Sequence, residues 1–270
     1  MITIIFGAPR AGKTALMTHF LTQAMFDRER MRKMRNAIKY MNNGGFNFSI
    51  PKHPVVANYD VVGHKFGYTP RLSKTINPFR LGYANEKVKT HFLEPFTVIG
   101  ITEGQKYFNS RMSISYPDWQ SRWFEQHGHN HYDIYIDVQR PKLIDVNIRE
   151  LSSFIEIVKK DNKVDNKGKI VAIKWLVRCF ESSAELESYF ASGKKVKTTY
   201  LEKTIKIDYN VHNNYNSQMC KPKFYAGHIE EDYDTVEHKP LVENLDGYID
   251  YLKSVDDELP KDFYNTKRGG

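Results

Sequence analysis

The sequence predicts an α/β fold: a mostly parallel central sheet flanked by helices, with an antiparallel β extension in the C-terminal half. Three observations carry that expectation. Short apolar runs alternate with helix-length segments through roughly the first 150 residues, as they do where parallel strands are joined by crossover helices. The first run, Ile2–Phe6, stops at Gly7 and is followed from Lys13 by a stretch rich in Ala, Leu and Met. That reads as a buried strand feeding a helix. From about residue 151 the apolar runs follow one another with Asn-, Lys- and Gly-rich turns between them, which is hairpin spacing.

Taken in order, Ile2–Phe6 is the first strand. No Pro or Gly interrupts Lys13 to Lys39, so one long helix is expected, ending before Asn42-Asn43-Gly44-Gly45. Strands at Pro54–Tyr59 and Phe96–Ile101 bracket Gly63–Gly82, whose Gly and Pro content reads as irregular chain. Pro117–His129 suits a helix with Pro117 near its first turn, and Tyr132–Val138 is the next strand. Phe154–Lys160, Ile170–Phe180 and Thr198–Ile207 form the extension, with turns at Asp161–Lys169 and Ser192–Lys195. Leu241–Val255 suits a terminal helix. The expected organisation is one domain over residues 1–220, including the β-rich extension, followed by an acidic, Tyr-rich segment over 221–270.

A chain of 270 residues holds one large α/β domain or a core with a small appendage. Its hydrophobic content of 40% is that of a globular protein rather than a disordered one. A formal charge of +8 suits a polyanionic partner, either nucleic acid or an anionic membrane surface. Cys179 and Cys220 have no partners at metal-site spacing and read as free thiols of a reducing compartment. No basic region precedes the first apolar run, so it does not read as a signal peptide. No run approaches the roughly 18–20 apolar residues of a membrane span; Lys174 and Arg178 interrupt Ile170–Phe180. A soluble, cytoplasmic protein is expected.

Gly7-Ala8-Pro9-Arg10-Ala11-Gly12-Lys13-Thr14 matches G-x-x-x-x-G-K-[ST] at every fixed position, with Ala15 next in the helix. Gly7 and Gly12 admit backbone conformations that a side chain would block. The loop then turns its N–H groups toward phosphates, and the helix from Lys13 adds its positive end. Lys13 is placed to reach the β- and γ-phosphates, and the Thr14 hydroxyl to ligate Mg²⁺. The strand before the loop and the helix after it are the context the motif requires. A nucleoside triphosphate, ATP in the first instance, is therefore expected in residues 7–15. The loop alone does not choose among kinases, GTPases and motors.

Motors of this kind also need a carboxylate at the end of a neighbouring strand, and often a Glu that polarises the attacking water. Glu103 stands one step past Phe96–Ile101, where such a base sits. The position before it, usually Asp, is Thr102. Three outcomes stay open: Glu103 covers both roles, Asp137 on the next strand contributes to the metal shell, or hydrolysis is slow. Gln139, just past the Tyr132–Val138 strand, is a candidate for holding the γ-phosphate or the attacking water.

Taken together, these pieces resemble the zonula occludens toxin family, which includes the assembly ATPases of filamentous phages. The loop lies at the extreme N-terminus, and Val55-Val-Ala-Asn58 resembles the family's second strand with its terminal Asn. Ile101-Thr-Glu-Gly-Gln105 and Tyr107-Phe-Asn-Ser-Arg111 resemble its acidic motif and downstream Arg. His127-Gly-His129, Tyr132-Asp133-Ile134, Gln139-Arg-Pro141, Ile144-Asp145 and Ile148-Arg149 resemble its histidine, strand and Gln-x-Pro signatures. Asn214-Tyr-Asn-Ser217 resembles a Tyr-x-Ser element near the end of the shared domain. The likeness covers about residues 1–220 and is specific in combination. It implies a RecA-like P-loop ATPase acting as a ring-shaped homo-oligomer, with Mg²⁺ as cofactor. It also implies phage DNA, single-stranded in this family, and other phage assembly proteins as partners, in virion assembly or DNA export at the inner membrane. Thr102 departs from the family's Asp. The family's C-terminal membrane span is also missing, so the expectation is a soluble variant or a shortened chain. Such a chain would reach the inner face of the host membrane through partners or through a missing segment.

Arg111, Arg140 and Arg149 are candidates for an arginine finger offered to a neighbouring subunit's γ-phosphate, though salt-bridge or surface roles are the simpler reading of each. His127, His129 and His131 alternate as metal ligands on a strand do, but no Cys or carboxylate cluster accompanies them. Arg28, Arg32, Arg35 and Lys39 share one helix face, which reads as a solvated face before a phosphate-binding one. Two other functions compete with the motor. One is an ATP-dependent scaffold with little hydrolysis, motivated by Thr102. The other is a small-molecule P-loop kinase, disfavoured by the β-rich C-terminal half and the lack of an evident acceptor lid.

Overall fold

The computed structural model describes residues 1–26, 28–45, 55–59, 61, 73–76, 78, 81, 93, 96–111, 118–168, 170–193 and 200–208. The strands are β1 (Ile2–Gly7), β2 (Val55–Ala57), β3 (Ser73–Thr75), β4 (Val98–Ile101), β5 (Asp133–Val138), β6 (Ser152–Val164), β7 (Ile170–Phe180) and β8 (Leu201–Asp208). They form one eight-stranded sheet in the order β3-β2-β4-β5-β1-β6-β7-β8. Six strands, from β3 to β6, pair in parallel; β7 and β8 join antiparallel. The mixed α/β architecture with an antiparallel extension is thus the observed one.

The central strands are apolar along nearly their whole length because both faces are covered. Side chains alternate between the faces. Ile5, Val55 and Val98 point to one core cluster, under α1 (Lys13–Phe26) and α2 (Arg28–Asn43). Ile4, Phe6, Ile134 and Ile136 point to another, which also takes in Phe124 of α3 (Asp118–Glu125), Ile148 of α4 (Val146–Glu150) and Tyr189 of α5 (Ser183–Ala191). Trp175 and Val177 of β7 and Ile207 of β8 belong to the first cluster together with Ile5 and Leu16. The antiparallel strands therefore share a core with the parallel part.

The helix expected over Lys13–Lys39 is described as α1 and α2, with Asp27 between them outside the described residues. Met31, Met34 and Ile38 of α2 belong to the same buried cluster as Val55 and Tyr59. Three details differ from expectation. Within the expected irregular stretch, Ser73–Thr75 pairs with β2 as an edge strand. Strand β6 continues to Val164, through the first four residues of the expected turn. Between β7 and β8 lies α5, opened by Ser182, whose side chain accepts from the Glu185 N–H, a Ser N-cap. Leu241–Val255, Cys220 and the Asn214–Ser217 element lie outside the described residues. Among the described residues no helix is long and apolar enough to cross a membrane.

Candidate nucleotide site

The chain from β1 to α1 forms the loop that the motif predicts. Gly7 has φ +154° and Gly12 φ +84°, and Arg10 between them is also left-handed at +62°. Both glycines leave little room for a side chain. A Cβ on Gly7 would lie 3.0 Å from the Ile157 carbonyl oxygen, and one on Gly12 3.1 Å from the Trp175 indole nitrogen and 3.2 Å from Cδ of Lys160. The same indole N–H donates to the Ala11 carbonyl at 3.1 Å. The β6–β7 pair thus braces the loop from outside. Lys13 is largely buried, and its ammonium donates to the carbonyls of Gly7 (3.2 Å) and Ala8 (3.1 Å), so the charge lies over the loop itself. The first-turn N–H groups of α1 are helix-terminal donors beside the loop. Ala8, Pro9 and Arg10 are exposed, while Ala15, in the first turn of α1, is buried.

Behind Thr14 stands a carboxylate. The Thr14 hydroxyl donates to Oδ2 of Asp137 at 2.7 Å. Thr102 Oγ1 donates to the same oxygen at 2.9 Å and lies 3.2 Å from Thr14 Oγ1. The Glu103 N–H donates to Oδ1 of Asp137 at 2.9 Å. Asp137 is 1% exposed. Burial pushes its carboxyl up from the ordinary range, against the Glu103 N–H and the Thr14 and Thr102 hydroxyls, which favour the charged form.

Glu103 occupies a left-handed turn, φ 56°, one residue past Thr102. Its carboxylate accepts from the Gln105 amide at 2.7 Å and stands 3.9 Å from the Lys106 ammonium. It is near enough to Asp137 to raise that carboxyl further. Gly104 makes the turn possible: a Cβ there would be 2.2 Å from Cγ2 of Ile136. Asn58, at the end of β2, clamps the strand end. It accepts from the Thr102 N–H at 2.8 Å and donates to the Thr102 carbonyl at 3.0 Å.

Gln139 lies just past β5 and is exposed. Arg111 and Arg140 are exposed too. Arg149 is engaged within its own chain, donating to the Ile144 carbonyl at 3.2 Å and lying 3.9 Å from Glu187. The histidines do not converge: His127 bonds the Phe124 carbonyl and His131 stacks on Phe96. Among the described residues no group of three or more His, Cys, Asp or Glu is placed to hold a metal. That is compatible with Mg²⁺, which is held by one or two protein oxygens plus phosphates and water. Thr14 and Asp137 are the hard oxygen donors such an ion takes.

Two contributors had no signal of their own in the sequence. Trp175 is 164 residues from Ala11, and a strand Trp reads as core. Gln105 resembles part of the acidic motif, but its bond to Glu103 follows from the tight turn at Gly104.

No family model matches the sequence, and no curated protein matches it. Among solved structures, the chain is similar to the N-terminal domain of zonular occludens toxin from Neisseria meningitidis. Identity is 20%, over 80% of this chain and 98% of that one, with a TM-score of 0.46. It is also similar to the genome packaging NTPase B204 from Sulfolobus turreted icosahedral virus 2 in complex with ATP-gammaS. Identity there is 10%, over 68% of this chain and 93% of that one, with a TM-score of 0.35. For B204 described as the DNA-packaging ATPase from Sulfolobus Turreted Icosahedral Virus, the values are 11%, 75%, 95% and 0.35.

Proposed function

We propose that this chain binds ATP with Mg²⁺ and hydrolyses it as a motor ATPase of the filamentous-phage assembly or DNA-export kind. The observation that carries the reading is the juxtaposition of the loop with Asp137 and Glu103 at the ends of two adjacent parallel strands. In outline, loop N–H groups and Lys13 hold the β- and γ-phosphates and neutralise charge that develops on the γ-phosphoryl group. Thr14 and Asp137 would hold Mg²⁺, which supplies electrostatic stabilisation of the same charge. Glu103 is the general base that takes a proton from the attacking water. Gln105 fixes the direction of its carboxylate.

The scaffold alternative rests on the missing acid at position 102. Asp137 beside Thr14 supplies a negative charge in that neighbourhood, which favours hydrolysis over passive binding. Ring assembly, single-stranded DNA and partner assembly proteins belong to the same proposal. They are supported by the sequence resemblance and by the charge of +8.

Phosphate release from ATP, measured with and without single-stranded DNA and beside a sizing experiment, tests the reading. Turnover stimulated by DNA in an oligomeric species is expected. Lys13→Ala is expected to lower turnover about a hundredfold or more. A purified chain that binds no ATP would overturn the proposal at its root.

A further inference from the structure

Strand β5 lies between β1 and β4, so the ends of β4 and β5 both border the loop. Their register pairs Ile101 with Ile136, which brings the next residues, Thr102 and Asp137, abreast. Both stand on the α1 face. Asp137 is abreast of Ile5, a member of the cluster under α1, while Ile101 and Ile136 point to the opposite cluster. Adjacent strands are about 4.8 Å apart. A carboxylate rooted at either position therefore reaches the same point beside the Thr14 hydroxyl.

From these placements we infer that acid and hydroxyl have exchanged strands. Asp137, on β5, carries the metal-shell carboxylate that P-loop enzymes draw from the neighbouring acidic strand, and Thr102, at the end of β4, is its positioning residue. The inference rests on reading residues 7–14 as a nucleotide loop. It adds which strand supplies the charge and what the hydroxyl at 102 does.

Three features argue for it. The Asp137 carboxylate receives bonds from both hydroxyls and from the Glu103 N–H, which fixes its rotamer and points Oδ2 at Thr14. These donors are all neutral, and Lys13 is turned to the loop carbonyls. A charge buried this deeply without a cation is costly to keep, and a divalent ion beside Thr14 would balance it. Asn58 holds Thr102 through both its N–H and its carbonyl, so the Thr102 hydroxyl is presented from a fixed backbone. A threonine placed only as filler needs none of this.

The test uses the full chain, ADP and Mn²⁺ as a paramagnetic stand-in for Mg²⁺. Bound Mn²⁺ is read by electron paramagnetic resonance, and ADP binding in EDTA is read separately. Asp137→Asn is expected to weaken Mn²⁺ binding about tenfold or more while ADP binding in EDTA changes little. Thr102→Val is expected to weaken Mn²⁺ by about tenfold, as loss of a ligand's supporting partner does; Thr102→Ser is expected to retain it. The exchange variant Thr102→Asp/Asp137→Thr is expected to recover most of the affinity that Asp137→Asn loses. The inference is overturned if Asp137→Asn keeps wild-type Mn²⁺ affinity. It is equally overturned if the exchange variant is folded and binds ADP but not Mn²⁺, or if Thr102→Val behaves as wild type. Failure of the wild type to bind ADP in EDTA would instead remove the nucleotide-loop reading, and the exchange with it.

Discussion

At position 137 a carboxylate is buried among neutral donors, and the consequences reach stability as well as binding. Three hydrogen bonds favour its charged form, yet burial outweighs them and its carboxyl is pushed up. The folded chain therefore holds this proton more tightly than the unfolded chain does. Metal-free stability is expected to fall as pH rises from the ordinary carboxylate range through the raised value, and to level off above it. Asp137→Asn removes the charge and keeps the shape. Above that window, in EDTA, it is expected to melt a few degrees higher than the wild type and to show none of the Asp137-linked fall. Thermal melts across pH read both effects. An Asn variant that melts below the wild type throughout would mean that the three bonds outweigh the burial. Residues of this kind were half legible in the sequence. Gly7, Gly12, Lys13 and Thr14 are contiguous and announce themselves by spacing. Asp137 stood among the candidates, but its tie to Thr14 spans 123 positions and follows from strand order, which local pattern does not contain.

Elements place these residues, and two of them do so by close approach. The turn after β4 lies against β5 because Gly104 lacks a side chain. Gly104→Ala is expected to push the turn off Ile136 and shift Glu103. Turnover should fall about tenfold or more while ATP affinity changes little, a pattern that marks loss of an interaction made in the transition state. Equal losses in both would place Gly104 in nucleotide binding instead. On the other side, β7 braces the loop through the Trp175 indole and the Ala11 carbonyl. Trp175→Phe keeps most of the ring and removes the donor. The orphaned carbonyl costs about 1 kcal/mol, so ADP binding is expected to weaken severalfold, with unchanged affinity as the contrary result. The edge strand β3 and the helix α5 escaped the sequence pattern for related reasons. β3 is three residues long, and α5 is a nine-residue segment within a stretch rich in Glu and Ser.

For the molecule as a whole, the open matter is whether the antiparallel extension is a domain of its own. Strand β6 belongs to both halves, pairing with β1 in parallel up to Gly7 and Ile157 and with β7 antiparallel through Val164. Trp175, fully buried, shares its cluster with Ile5, Leu16 and Tyr59. Removing β7 and β8 would uncover that cluster and unbrace the loop, so neither half keeps its core without the other. One cooperative transition is the expected consequence, as it is where a single core is shared. The three tryptophans allow a direct test. With Trp119 and Trp123 replaced by Phe, Trp175 reports on the extension. With Trp119 and Trp175 replaced, Trp123 reports on the opposite face, where it packs on Phe124 and Tyr132. Urea midpoints from each reporter, compared with circular dichroism of the same variant, are expected to coincide. An earlier loss of the Trp175 signal, with helical structure intact, would make the extension a separate unit and divide the chain near residue 151.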